Sequence, residues 1–428
     1  MRKYLLKLTS ITGFVFSIVP LYVWLCVSSL VLVFVYNISQ SVENLYWIKD
    51  IVIYVYVAVI SFRLMKRKLT YSLVLSFLLL VVYVLYMAEV SDVPILLKGA
   101  SIRQLMSPTI LFLAGFLGIR SGRDLQLFSK TIVLIGVCLG LFGLVERFSY
   151  LWTYIDLSSY FGIKNVAVGS TGYPAMFIEP ISTFFKESIP VGGIVRMVST
   201  LLDPINLGHT FVFLFSIVLF DRHVTGSRAT RSLLLLFFSV CILLTLSKGA
   251  IFQVALLVLV YHKAIRLPLK VVGISIVIAI LFYLYVYHPG IILHTSGTIS
   301  SFSTISLFGM GLGKAGNYST LLGKGISANG IGDSFIGSIV GQIGLFGLLL
   351  WLASTLFMVK RRMPLFLKGV LYTQLFVALF SENAFNLLSI FTLFIYLGAV
   401  YYLTPSNRDF ISNEDTAQKA EQNKVFAN

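Results

Sequence analysis

The residues of this chain with chemistry to offer are few and grouped. RMVSTLLDPINLGH, Arg196 to His209, sets an arginine, two hydroxyls, a carboxylate, an Asp-Pro turn and a histidine just ahead of a long apolar run. A guanidinium at such a place binds phosphate oxygens bidentately, although an arginine that merely anchors a helix end has the same signature. Asp203 reads first as the N-cap of the helix that follows and second as a substrate ligand. His209, one turn further in, reads as a packing histidine. A second group, LTLSKGA from Leu244 to Ala250, holds Lys248 among Thr245, Ser247 and Gly249, the composition of a small anion site between two tightly joined apolar runs. A third runs from Ser306 to Gly347 and carries Lys314, Lys324 and one carboxylate, Asp333, which is either a helix N-cap or a general base toward a hydroxyl. Its GLGKAG spells a dinucleotide fingerprint but follows no strand, and LLGKGIS lacks the spacing of a phosphate-binding loop, so nucleotide chemistry is not indicated.

The elements that must hold these groups are membrane spans. The 428 residues are 57% hydrophobic and 12% charged, with a mean hydropathy of +0.91, a balance that calls for lipid as the solvent. Apolar runs fall at 12–36, 46–62, 69–88, 104–119, 129–147, 205–221, 231–246, 249–262, 270–287, 334–358, 365–381 and 384–403. They predict an all-α polytopic membrane protein of about twelve transmembrane helices, since a span takes roughly 20 apolar residues. One integral domain, 1–403, is expected, with two large loops at about 148–204 and 288–333 and a solvated tail over 404–428. The N-terminal apolar run has no small-residue cleavage site and reads as a first span. Cys26, Cys138 and Cys241 lie singly in apolar runs, so neither a disulfide framework nor a metal site is suggested.

The formal charge of +16 would suggest nucleic acid in a soluble protein. With the N-terminus in the cytoplasm, however, 23 of the 33 basic residues fall in cytoplasmic connections, beside six of the 17 acids. The basic excess is then topogenic, and both long loops face outward, where nucleotides are not available. Arg103 and Arg147 also reach that face and join its cationic residues, with Glu146 as the neighbour expected to pair with Arg147. In the first loop, Tyr160, Phe161, Tyr173, Phe177, Phe184 and Phe185 lie among Glu179, Lys186 and Glu187, a composition that suits carbohydrate and equally an interfacial aromatic belt.

In order and spacing, RMVSTLLDPINLGH, LTLSKGA at an outward hairpin, the GMGLG loop and DSFIGSIVGQIGLFGLLLWL together resemble the O-antigen polymerase and O-antigen ligase superfamily. The resemblance covers most of the chain. It implies an integral membrane glycosyltransferase that moves glycans from an undecaprenyl diphosphate carrier. Arg196 matches the family's first-loop arginine, and Ser247, Lys248 and Gly249 match its Ser-Arg-Gly-like turn, with lysine replacing the arginine and its bidentate fork. Where ligases carry a histidine-asparagine pair, this chain has Asp333-Ser334, which favours a polymerase and leaves His294 or Asp203 as substitute bases. The catalytic set is then Asp333, Arg196 and Lys248, with Arg103, Arg147, Asp203, Ser247, Glu179, His294, Lys314 and Lys324 around the substrate. No cofactor is expected. The partners implied are lipid-linked glycan donor and acceptor, membrane lipid, a chain-length regulator and a flippase, with no nucleic acid. The rival class is a transporter or lipid flippase, which would place ionisable residues and helix breaks within the spans.

Overall fold

The computed structural model describes residues 18–39, 48–63, 69–157, 160–161, 174–180, 193–221, 224–261, 306–316, 334–360 and 362–404. These residues are mostly helical. In chain order the α-helices are α1 (Ile18–Ser39), α2 (Ile48–Arg63), α3 (Tyr71–Val90), α4 (Ile95–Gly118), α5 (Gly122–Phe148), α6 (Pro204–Phe220), α7 (Arg228–Thr245), α8 (Lys248–Tyr261), α9 (Phe335–Phe357), α10 (Leu365–Val377) and α11 (Leu387–Leu403). Helices α1, α3, α4, α5, α7 and α9 are long and apolar enough to cross a membrane, while α2, α6, α8, α10 and α11 are apolar but shorter. The apolar run at 270–287 lies outside the described residues.

Two helices begin earlier than hydropathy alone predicts. Ser121 caps α5 in a reciprocal capping box with Asp124, so the helix starts at Gly122 and not near 129. Helix α4 starts directly after Pro94, whose fixed φ suits an N-terminus, and therefore includes the polar stretch that ends in Arg103 and Gln104. Arg103 consequently does not lie on an open cationic face. Its Nη1 is 3.1 Å from Asp50 Oδ2 on α2, and both side chains are almost fully buried.

Helices α4 and α11 form the centre, where two glycines let the backbones touch. A Cβ on Gly398 would sit 2.0 Å from the Phe112 carbonyl oxygen, and one on Gly115 1.8 Å from that of Ile395. Around this pair α6 packs on α7 and on α11, α8 on α10, and α9 on α3. Helix α9 is broken at Gly344 (φ 68°, ψ −176°), a conformation open essentially to glycine alone. The backbone groups freed by the break are taken up by residues 306–316: Met310 and Gly311 donate N–H to the carbonyls of Gly341 and Gln342, and Leu345 and Phe346 donate to those of Ser306 and Leu307. Non-helical backbone among apolar helices is stable only when it is satisfied in this way. The glycines of the GMGLGKAG stretch thus serve close approach to α9 and its neighbours.

The two ends of the bundle differ in chemistry. At one end, cations sit on helix C-termini: Lys360 Nζ donates to the carbonyls of Tyr401 and Thr404 at 2.8 and 2.6 Å, and Arg231 donates to those of Val218 and Leu219. At the other end, the starts of α6, α8, α9 and α11 meet the C-terminal ends of α5, α7 and α10.

Candidate active site

The polar end is assembled around residues 193–203. A short antiparallel pair, β1 (Ile178–Pro180) and β2 (Gly193–Val195), aligns Ile178 with Val195 and delivers Arg196 to the bundle. Glu146, in the last turn of α5, is fully buried, and its Oε1 accepts from the backbone N–H groups of Val198 (2.8 Å) and Ser199 (3.2 Å). Arg147 Nε donates to the Val195 carbonyl at 2.7 Å. Adjacency had suggested that this glutamate and arginine pair with each other. Instead both turn to the loop backbone, whose N–H and C=O groups would otherwise be left orphaned beside the helix end.

Held from below, Arg196 reaches the hairpin turn between α7 and α8. Its Nε donates to the Thr245 carbonyl at 3.0 Å, Nη2 to Leu246 and Nη1 to Met176, each at 3.4 Å, while Met197 N–H donates to Leu244. The guanidinium thereby sits on the C-terminus of α7, where the helix dipole favours a cation. Ser247 caps α8, with its Oγ 3.4 Å from the Ala250 N–H, and is buried, whereas Lys248, the first residue of α8, is exposed. The structure therefore brings the first two sequence motifs together. Ser199, Leu202 and Leu246 hold left-handed backbone at φ 50–53°, a modest strain gathered at this one junction.

Asp203 caps α6: its Oδ1 accepts from Ile205 N–H (2.8 Å) and Asn206 N–H (3.1 Å), with Pro204 at the first helical position. Asp203→Ala is expected to cost about 1 kcal/mol, and Asp203→Asn, an equally good cap, to restore it. Thermal unfolding in detergent measures this, and an asparagine variant as unstable as the alanine one would remove capping as the residue's main role. His209 is buried under the hairpin, with Nδ1 2.8 Å from Gln253 Oε1; a Cβ on Gly249 would meet the imidazole only in ordinary contact at 3.7 Å and would crowd Val377 instead.

From α6 a polar chain crosses to the remaining helices. Ser389 Oγ on α11 lies 2.6 Å from Asn206 Oδ1 and 2.5 Å from the Asn383 carbonyl. The adjacent Glu382 is buried, and its Oε1 accepts from Gln104 Nε2 at 3.2 Å. Gly316, the end of the described part of the second loop, closes over this carboxylate; a Cβ there would fall 2.6 Å from Glu382 Oε1 and 2.3 Å from Ser338 Oγ. Next to it, Gln342 Oε1 accepts from Gly313 N–H and its Nε2 donates to Ser338 Oγ.

The other sequence candidates divide as follows. Asp333, His294 and Lys324 lie outside the described residues, as does the side chain of Glu179. The capping role that the sequence offered to Asp333 falls to Ser334, whose Oγ accepts from Gly337 N–H at 2.9 Å. Lys314 Nζ is 2.6 Å from Asp92 Oδ1, a contact that holds the Asp92 carboxyl below the usual carboxylate range. That contribution is present at neutral pH and fades as the pH falls through the lowered value. Tyr160, Phe161 and Phe177, offered by composition as sugar platforms, are buried with Trp152, Val195 and Leu202 in a small core against α1, so they stack on protein. Sequence reasoning passed over Glu382, Gln104, Asn206 and Asp50. The signal for Glu382 was present: Glu382-Asn383 is a polar pair between two apolar runs, the same pattern that singled out LTLSKGA.

No protein-family model matches the chain, no curated protein matches it, and no solved structure matches it. Fold and site together define the class, an α-helical membrane protein with one polar and one basic end. Among the described residues no cluster of His, Cys, Asp and Glu has the makings of a metal centre.

Proposed function

We propose that the protein is a polytopic membrane glycosyltransferase of about twelve spans that polymerises undecaprenyl-diphosphate-linked oligosaccharide repeat units into a cell-surface polysaccharide. The polar end faces the periplasm or exterior and both termini face the cytoplasm, in keeping with the basic residues at the opposite end. The observation that carries this reading is the bridge from Arg196 to the hairpin turn that presents Lys248. An exposed ammonium at the start of α8, backed by a guanidinium, offers a diphosphate both charge and helix-terminal N–H groups.

In this reaction the acceptor hydroxyl oxygen attacks the anomeric carbon of the donor sugar. A glycosidic C–O bond forms, and the bond to the carrier diphosphate breaks, leaving its electron pair on the phosphate oxygen. Lys248 and Arg196 stabilise the charge that develops there. Asp333, which precedes Ser334 in the sequence, takes the hydroxyl proton. Because the carrier is an activated donor, no nucleotide is consumed, and lateral access between helices suits its polyprenyl tail. A chain-length regulator and a flippase are the partners such an enzyme needs.

Transfer to a lipid A core sugar is the alternative within this chemistry. A transporter or flippase is the alternative from another class, favoured by the break at Gly344 and by the ionisable residues Asp50, Arg103 and Glu382 buried among apolar helices. Purified protein incubated with lipid-linked repeat units alone separates the readings. A ladder of products with a regular increment is expected. Binding without a ladder would exclude polymerisation, and carrier movement across a vesicle without new glycosidic bonds would make the protein a flippase.

A further inference from the structure

By sequence, residues 306–316 belong to an outward loop, yet the structure lays them along the first half of α9. The register runs from Ser306 and Leu307, bonded to Leu345 and Phe346, to Met310 and Gly311, bonded to Gly341 and Gln342. Phe335 opens α9, so those partners stand 6 to 11 residues further into a helix long and apolar enough to cross a membrane. At about 1.5 Å of rise per residue the segment reaches about 9–17 Å below the start of α9, well inside a hydrocarbon layer of roughly 30 Å. The side chains it exposes at that depth are apolar. Leu307 and Phe308 are each 56% exposed and Met310 40%, next to Phe346 of α9 at 43%.

Polar side chains around the segment turn to its backbone. Ser306 Oγ accepts from the N–H groups of Phe308 (3.3 Å) and Gly309 (3.1 Å). From α3, the Tyr83 hydroxyl donates to the carbonyls of Phe308 (3.2 Å) and Ile343 (3.0 Å), and Ser91 Oγ to that of Leu312 (2.7 Å). Gln342 Oε1 accepts from Gly313 N–H at 3.0 Å. On a loop in water, solvent would meet these groups, whereas in hydrocarbon the protein must supply every partner. We infer that the exposed face of residues 306–310 is a lipid-facing surface within the hydrocarbon layer, so that the second loop re-enters the membrane and meets the acyl chains of the bilayer. Water is a poor occupant of this face, because three large apolar side chains would be hydrated together. Residues 311–313 are buried, and the segment ends at Gly316 against Ser338 and Glu382. The surface therefore joins the bilayer to the polar end of the bundle. It is independent of the glycosyltransferase reading.

The test is a depth measurement on the full-length protein in phosphatidylcholine vesicles. Cys138 is exposed while Cys26 and Cys241 are buried, so Cys138→Ala gives a background for site-directed nitroxide labelling. Labels are attached through Phe308→Cys, through Leu134→Cys on the exposed face of α5, and through Tyr154→Cys in the loop after α5. Collision with oxygen reports hydrocarbon, and collision with a water-soluble nickel chelate reports solvent. At position 308 oxygen collision is expected to match that at 134, and nickel collision to fall about tenfold below that at 154, since a polar chelate is excluded from hydrocarbon. Nickel collision equal to that at 154 would put the segment in water. Low collision with both reagents would mean that protein, such as a second copy of the chain, covers the face. Either result overturns the inference. If Phe308→Cys is not recovered folded, the unmodified protein decides. Phosphatidylcholine with a photoactivatable diazirine in its acyl chain should leave adducts on residues 306–310 as on the exposed Leu78 and Val82 of α3, and adducts on α3 alone would overturn the surface.

Discussion

Alanine at Gly398 is expected to destabilise the bundle by about 3 kcal/mol, the upper end of the usual overpacking range, and leucine there to prevent recovery of folded protein. The reason lies in what the new atom would meet. A Cβ at this position falls 2.0 Å from the Phe112 carbonyl oxygen and 2.7 Å from the Phe116 nitrogen, and the reciprocal position, Gly115, is as tight against Ile395. Both obstacles are backbone, so no rotamer change relieves them and α4 and α11 must separate. Their separation disturbs more than one contact. Helix α4 carries Arg103 and Gln104, which reach Asp50 and Glu382, and α11 begins at the Asn386 cap beside Ser389. In a bilayer, helices associate largely through such close packing at small residues, because lipid tails offer little hydrophobic incentive. Thermal unfolding in detergent, read by tryptophan fluorescence, checks the magnitude. A Gly398→Leu protein that unfolds at the wild-type temperature would show that the two helices do not meet as described.

Replacing Arg196 with alanine is expected to lower polymerisation by about 10²–10³-fold, the loss typical when one charge-stabilising donor is removed from a reacting centre. It should also lower the unfolding midpoint, because the guanidinium joins Met176, Thr245 and Leu246 through their carbonyls. Loss of activity alone would therefore not locate the site. Lys248 provides the comparison, since it is exposed and replacing its ammonium removes charge while leaving the turn capped by Ser247. Lys248→Gln should retain the wild-type unfolding midpoint and lose ladder formation, and Arg196→Lys should recover the fold better than the activity, having lost the planar fork. Full activity in Lys248→Gln would remove the hairpin from the chemistry and return Arg196 to a purely structural role.

Much about this protein followed from its sequence. Length and hydropathy determined a mostly helical structure, with six of the described helices long and apolar enough to cross a membrane, because burial of a helix in lipid is decided by local composition. The Asp-Pro pair at Asp203 determined a helix start, because an Asx cap and a proline at the first helical position act over four residues. The motifs at Arg196 and Lys248 were legible as separate polar groups. Only the tertiary structure decided that they meet, since the link is a set of carbonyls at the end of α7 whose availability no side-chain pattern records. It also decided that Arg103 is a buried partner of Asp50, that Glu146 serves the loop backbone, and that Phe161 and Phe177 fill a core. In each case the deciding factor is which neighbour desolvates the group, and that neighbour lies on another segment of the chain, dozens of residues or more away. Gly344 is the sharpest instance. Composition marks it as one glycine among several, and only the passage of residues 306–316 beside α9 satisfies the backbone groups that its break exposes.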